Sequence, residues 1–431
     1  MSIFRTYAER WRLFNSNVRR FLIFDVSYQI AVAVYALYFP RYLLALGHRE
    51  DTLGSLLAAG TLCTAIFATL AGLVSDRIGR KRSLIIGISI SKAAYFARGF
   101  LVFIPALYAS FIIDGLFVAL YSAASNPFIF ENTTDEERIH AFSLQGMFLR
   151  VAGIAGNILA GFLPRVILLF APQLDKVGVY RAAFSFALVV ALYGIYNLFQ
   201  IGETSPARAN GSSEHKRRYH RSPLRLSLRG LFNLPRRDMV FLGKYVLSDS
   251  FLALGAGHFM PFMQTYFIAR YNASPEEAGV ITSLAQAAVI IGIAIAPVLG
   301  ERFGITRSVL LTRLIALPLL IFLAFAPNLL VVALIYSLRN ATQQMSGPLT
   351  NHFMLDNLDR NARATANGVL QTFNAGVRAL AMYSAGMVIT RYGYPWIFII
   401  AFTTYSVSAA LFWAFFVRRD AASSREPAVM A

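Results

Sequence analysis

Charge is scarce in this chain, and acid is scarcest. Of its 431 residues 14% are charged, where a soluble protein of this size carries about 25%. Asp and Glu number 22 against 40 Lys and Arg, a formal net charge of +18. There is one cysteine, Cys63, inside an apolar run. An intrachain disulfide is therefore impossible, no CxxC or Cys/His spacing offers a metal site, and Cys63 reads as a small packing residue. No GxxxxGK[ST] loop is present, which argues against a nucleotide-driven pump. Nor does any apolar run carry a nucleophile–base set or a metal cluster, so the chain does not read as an enzyme and implies no cofactor. What it has in quantity is apolar: 57% hydrophobic residues, 36 Phe and 20 Tyr, with a mean hydropathy of +0.55.

A strongly basic balance would ordinarily suggest nucleic acid. Here the basic residues sit in short segments beside apolar runs, so they read as topology signals and contacts to anionic lipid headgroups. A helix needs roughly 20 apolar residues to cross about 30 Å of hydrocarbon. Twelve such runs are predicted, near 20–46, 53–74, 84–104, 106–129, 141–164, 179–201, 239–268, 276–299, 307–326, 328–352, 365–389 and 395–417. Residues 1–20 are polar and basic, without the form of a cleavable signal peptide, so the first run reads as a retained signal anchor. Arg5, Arg10, Arg12, Arg19 and Arg20 before the first run, and Arg418 and Arg419 after the last, place both termini in the cytoplasm of a multi-pass cell-membrane protein. The long polar insertion at 202–238 carries Arg208, Lys216, Arg217, Arg218, Arg221, Arg225 and Arg229. It reads either as a solvated linker or as a segment partly lying in the headgroup plane. The predicted organisation is an all-α membrane protein: bundles at 1–201 and 239–431 joined by a basic cytoplasmic linker.

The halves repeat. Gly54 and Gly279, Asp76 and Glu301, Arg77 and Arg302, Gly79 and Gly304, Arg82 and Arg307, and Ser83 and Ser308 all pair at a spacing of 225. Pro40 with Pro261 and Pro127 with Pro348 pair at 221, and Leu144-Gln145 with Leu370-Gln371 at 226. The first half's turn, from Gly72 through Asp76, Arg77, Gly79, Arg80 and Lys81 to Leu84, puts one acid among several bases between two apolar runs. It resembles the signature G-x-L-x-D-R-x-G-R-K-x-x-L of the major facilitator superfamily, with Val74 where Leu is usual. The second half carries a degraded counterpart, Glu301-Arg302-Phe303-Gly304.

That resemblance implies twelve helices in two six-helix bundles, with a small-molecule site between them near the midplane. It also implies a cytoplasmic charge relay: Asp76, Arg77 and Arg80 with Glu131 and Arg138, and Glu301 and Arg302 with Asp356 and Arg363. Such ion pairs would act as a latch that breaks as the bundles rock. The competing reading is ordinary solvated loop charges worth under about 1 kcal/mol per pair.

Charges inside the runs need separate reasons, since each costs about 2.5–3.5 kcal/mol at the bilayer centre on insertion scales. Asp25, Lys244 and Arg313 lie within two turns of the cytoplasmic end and are expected to snorkel to water, with Asp25 kept among the coupling candidates. Arg98 and Asp114 each lie about 21 Å from the inner surface on consecutive antiparallel helices, so a buried pair is expected. It serves structure, or Asp114 takes a proton and releases Arg98. Asp249 has no evident partner at its depth, which makes it the leading proton-coupling candidate. Arg150, Arg339 and Arg378 favour an acidic substrate if they face a cavity, and say nothing of substrate if they are paired. Gln29, Asn157, Asn197, His258, Gln286, Gln343, Gln344 and Asn374 read as hydrogen bonds between helices.

In the fifth run Ala152-x-x-x-Gly156-Asn157-x-x-Ala160-Gly161 resembles the antiporter pattern G-x-x-x-G-P-x-x-G-G, with Asn157 for Pro. In the fourth, Phe111 stands where drug antiporters carry Arg. The expectation is therefore a monomeric secondary transporter, exporting an amphipathic compound against protons. Organic-anion uptake or exchange, and lipid flipping, are the alternatives on the same fold.

Overall fold

The computed structural model describes residues 14–202, 235–359 and 362–418. Arg208, Lys216, Arg217, Arg218, Arg221, Arg225 and Arg229 of the linker, with Arg5, Arg10, Arg12 and Arg419, lie outside that set. Among the described residues there are thirteen α-helices and no strand. They are α1 Ser16–Ala45, α2 Glu50–Ile78, α3 Arg80–Ala97, α4 Ile104–Glu131, α5 Asp135–Phe170, α6 Lys176–Phe199, α7 Arg236–Phe259, α8 Met263–Tyr271, α9 Pro275–Phe303, α10 Ile305–Phe325, α11 Leu329–Asp356, α12 Arg363–Tyr392 and α13 Pro395–Phe412. One 3-10 turn, Met260–Phe262, joins α7 to α8, so the two make one crossing. Twelve crossings result, close to the predicted runs.

Nine of these crossings are long and apolar enough to span a membrane by length and composition alone. The other three are α3, α11 and α12. Their hydropathy is lowered by several amides, by the buried Lys92 and Arg339, and by the exposed Arg378.

The helix starts follow from local chemistry. Thr134 and Ser274 each form a capping box, with the residue-137 and residue-277 amides donating to the hydroxyls and Glu137 and Glu277 reaching back. Asp175 accepts from Gly178 N–H at 2.8 Å and Asn328 from Val331 N–H at 3.0 Å. Each cap contributes about 1 kcal/mol. At the two repeat-related turns Gly79 has φ 91° and Gly304 φ 77°, a region that a Cβ disfavours. Both halves therefore turn on the same backbone device.

Residues 14–42 with 63–202 form one compact unit, and residues 43–62 with 235–418 form the other. The first is cored by Phe21, Phe24, Ile88, Phe128 and Leu198, the second by Tyr245, Val309, Phe353 and Phe412. The N-terminal part of α2, assigned by sequence to the first bundle, clusters with the second unit. The cause is backbone contact. A Cβ on Gly386 would stand 2.5 Å from Glu50 O, and one on Gly54 would overlap Met382 O. Around this crossing Thr61 donates to Met382 S at 3.5 Å, Arg49 to Thr390 O at 3.3 Å and Tyr394 to Glu50 Oε1 at 2.9 Å. Burial and the neighbouring Glu50 carboxylate push the Tyr394 phenol up.

This crossing generates a matched pair of variants on α12. Gly386→Ala should lower the melting temperature in detergent. Gly376→Ala, whose Cβ meets nothing within 4 Å, should stabilise by about 0.5–1 kcal/mol through helix propensity. Equal shifts in the two would contradict the backbone contact.

Candidate functional site

At the turn between α2 and α3, Arg80 is the hub. It pairs with Asp76 at 2.6 Å and Glu131 at 3.2 Å and donates to Ser75 Oγ at 2.9 Å. Gly79 makes this possible: its left-handed backbone ends α2 and starts α3 so that Arg80 faces back across the turn. Gly72 lies one turn before Asp76 on α2. Arg77 is exposed and takes no part in these pairs. Arg138 hydrogen-bonds the Phe130 and Thr133 carbonyls at 3.5 Å and stacks its guanidinium 3.5 Å from the Phe130 ring.

The second half does not copy this arrangement. Glu301 and Arg302 are exposed, and Arg302 lies over the Phe303 ring. Asp356 pairs with His352 at 2.8 Å, and Arg363 donates to Leu358 O at 3.3 Å. The missing base is the reason: Ile305 stands where the first half has Arg80.

Deeper in the first unit Arg98 meets Asp114 at 2.8 Å, the expected pair. Arg98 is the C-cap of α3 rather than an interior residue, because the helix ends where Gly99 passes against the Phe184 ring. Its guanidinium also reaches Ser110 O at 3.1 Å and lies 3.5 Å from the Phe111 ring centre. Asp114 further accepts from Ser91 at 2.5 Å and faces Lys92 Nζ at 3.8 Å. Lys92 is buried, with its ammonium over the Tyr28 and Tyr95 rings. Two cations thus share one acid, and aromatic faces offset the excess.

Asp25 does not snorkel. It is 2% exposed and accepts from Gln145 Nε2 at 2.6 Å and Tyr121 hydroxyl at 2.9 Å. Rings from α1 and α4, among them Phe24, Tyr28 and Tyr121, pack around it and shut water out. Among the described membrane acids, Asp25 alone has no ion pair.

Asp249 has the partner that sequence reasoning did not find. Arg313 Nη2 approaches it at 3.4 Å, and Asn374 Nδ2 donates at 2.7 Å. Arg313 is also buried rather than snorkelling, held by Ser248 and Ser408 hydroxyls at 2.7 Å each. Both errors have one origin: distance to the cytoplasmic end was measured along each helix, whereas burial depends on what packs beside it. Lys244 is partly exposed, near the Phe415 ring.

Arg339 is fully buried and donates to Gln343 Oε1 at 3.3 Å and to the Tyr405 hydroxyl. Arg378 is exposed on α12, and Arg150 is partly buried on α5. Tyr121, Ser91, Ser110, Ser248, Ser408 and Tyr405 were missed, because hydroxyls in apolar runs carry no spacing signal. The repeated Leu-Gln pair did point at Gln145.

Buried ion pairs and polar clusters on bundled apolar helices fit a membrane transporter. A family model described as Major Facilitator Superfamily matches residues 22–381 and 245–431, so the chain belongs to that superfamily and is a secondary transporter. It is 26% identical over 149 residues to "Multidrug resistance protein 2" of Bacillus subtilis (strain 168), covering 34% of this chain and 37% of that protein. It is 30% identical over 158 residues to "Tetracycline resistance protein, class E" of Escherichia coli, covering 36% of each. The chain thus aligns with little more than a third of either relative's length. The crystal structure of a point mutant of the nucleoside transporter NupG superposes with a TM-score of 0.70 at 14% identity, covering 93% of this chain and all of that one. At that identity the likeness speaks for the fold alone.

Two predictions follow from these contacts. Breaking a buried pair by Arg98→Gln or Asp114→Asn should cost about 3–5 kcal/mol, and the double substitution should recover part of it. Detergent unfolding measures this, and strictly additive losses would deny the coupling. At the turn each exposed pair is worth under about 1 kcal/mol, so Arg80→Gln and Asp76→Asn should slow turnover while leaving membrane insertion and substrate affinity intact. Arg77→Gln should do neither; equal slowing by all three would discount the hub.

Proposed function

We propose that the protein exports an amphipathic, drug-like compound from the cell by alternating access, in exchange for protons, with both termini in the cytoplasm. The observation that carries this reading is Asp25. Protonating Asp114 or Asp249 would strand a buried Lys92, Arg98 or Arg313, at a cost of several kcal/mol. Asp25 meets only a phenol and an amide. It can pass between carboxylate, which only accepts, and carboxylic acid, which also donates, without orphaning a cation. Gln145 can answer that change by rotating its amide from donor to acceptor. Asp25 therefore replaces Asp249 as the proton carrier. Support for export comes from the relatives, whose names speak of multidrug and tetracycline resistance.

The test is proton flux, followed with a pH dye in proteoliposomes of purified protein, on adding lipophilic compounds. Wild type should acidify or alkalinise the lumen in step with substrate. Asp25→Asn should bind substrate and lose that proton movement, whereas Asp249→Asn should weaken stability first. An Asp25→Asn protein still driven by a pH gradient would remove Asp25 from coupling.

A further inference from the structure

A groove on the outside of the first unit has room that its own side chains leave unfilled. It lies between α1, α5 and α6, holds about 330 Å³, and is lined by Leu22, Ile23, Val26, Ser27, Phe148 and Tyr193. Its floor is α1, where Leu22 and Ser27 are buried. The flanking helices touch that floor elsewhere. A Cβ on Gly194 of α6 would stand 3.0 Å from the Ser27 Cβ, and one on Gly156 of α5 would stand 2.9 Å from the Ala33 Cβ. Tyr193 belongs to an exposed apolar face of α6, with Val189, Leu192, Tyr196 and Phe199 at helical spacing. That face and the groove beside it look out on hydrocarbon.

Little in the groove orients a polar ligand. The Ser27 hydroxyl is spent on Ile23 O at 3.0 Å, and Leu22, Ile23, Val26 and Phe148 have no polar side-chain atom. Sites for small molecules normally add a few placed polar groups to an apolar wall; this lining suits an alkyl chain. The charge lies one turn away. Arg19 precedes Leu22 and Ile23 by three and four positions, and Arg20 precedes Ile23 by three. Both bases therefore stand on the groove's side of α1, about 5 Å nearer the helix start. Each is partly buried, and among the described residues no carboxylate pairs with either. Gly202 N–H donates to Asn17 Oδ1 at 2.9 Å, which ties the end of α6 to the start of α1. Tyr196 and Phe199 consequently lie near the depth of the two arginines, where aromatic residues mark the membrane–water boundary. A basic rim over an apolar slot, open to lipid, complements an anionic headgroup and its acyl chain.

We propose that the groove binds an anionic phospholipid of the leaflet that Arg19 and Arg20 face. One acyl chain lies in the slot between Phe148 and Tyr193, and the phosphate sits on the two guanidiniums, whose forked donors suit it. A zwitterionic lipid brings the same chain and phosphate, but its own cation offsets the attraction. Free phosphate brings charge without a chain. The lipid is a structural ligand distinct from the cargo, and its binding does not depend on which compound is exported.

The experiment is native mass spectrometry of the purified, delipidated full-length protein, titrated with phosphatidylglycerol or with phosphatidylcholine of the same acyl chains. Wild type should take up its first phosphatidylglycerol in clear preference to phosphatidylcholine. Replacing both bases, Arg19→Gln with Arg20→Gln, should weaken phosphatidylglycerol by about thirtyfold, the worth of two basic residues at a charged surface, and erase the preference. Val26→Phe, which fills the slot, should weaken both lipids. Arg237→Gln, at an exposed base of the second unit, should change neither. Glycerol phosphate, which has the charge without the chain, should not compete. Equal uptake of the two lipids by wild type overturns the site, whether or not any variant folds. So does undiminished phosphatidylglycerol binding in a folded double-arginine or Val26→Phe protein. Equal weakening by Arg237→Gln would reduce the preference to diffuse surface charge, and full displacement by glycerol phosphate would remove the groove from it; either result overturns the site.

Discussion

Every ionisable side chain in the helix interiors has to be compensated by its own neighbours, because the surrounding hydrocarbon offers neither water nor counterions. That constraint orders the rest of the structure. It explains why Arg98 ends α3 beside Asp114, why Lys92 is roofed by tyrosines, and why Arg313 is tied to two serines as well as to Asp249. Apolar packing alone would tolerate many registers between such uniformly greasy helices. The polar clusters select one, since each is satisfied in a single alignment of its helices.

The two halves share a scaffold and differ in how they are furnished. In both, an acid on the leading helix accepts an amide proton from the fifth helix of the same half: Asp25 from Gln145 and Asp249 from Asn374. The second acid also has a guanidinium, the first only a phenol. At the turns the inheritance is again partial. Gly79 and Gly304 keep the same backbone, but the hub base is present in one half and is Ile305 in the other. Duplication preserved the parts that shape the chain, and chemistry diverged upon them.

Much of this was legible in the sequence. Apolar run length placed the crossings, and the fixed spacing of Gly, Pro and Arg disclosed the repeat, because both depend on properties local to the chain. The Arg98–Asp114 pair was legible too, since consecutive antiparallel helices make depth a matter of counting. The Asp249–Arg313 pair was not: α7 and α10 are not consecutive, and only packing decides which helix is the neighbour. The same holds for Asp25, where counting residues to the membrane edge suggested water and the packed rings of Phe24, Tyr28 and Tyr121 exclude it. The contact of residues 43–62 with α12 was not legible either, as glycines 332 residues apart in sequence, Gly54 and Gly386, give no local sign that they will meet.

That meeting has a consequence for biogenesis. At synthesis rates of about 5–20 residues per second, the N-terminal part of α2 waits between roughly 15 seconds and a minute before α12 exists to receive it. During that interval its small-residue face, with Gly54 and Thr61, is turned to lipid or to passing membrane chaperones. A nascent chain halted at the linker would therefore lack the α12 surface against which residues 43–62 pack.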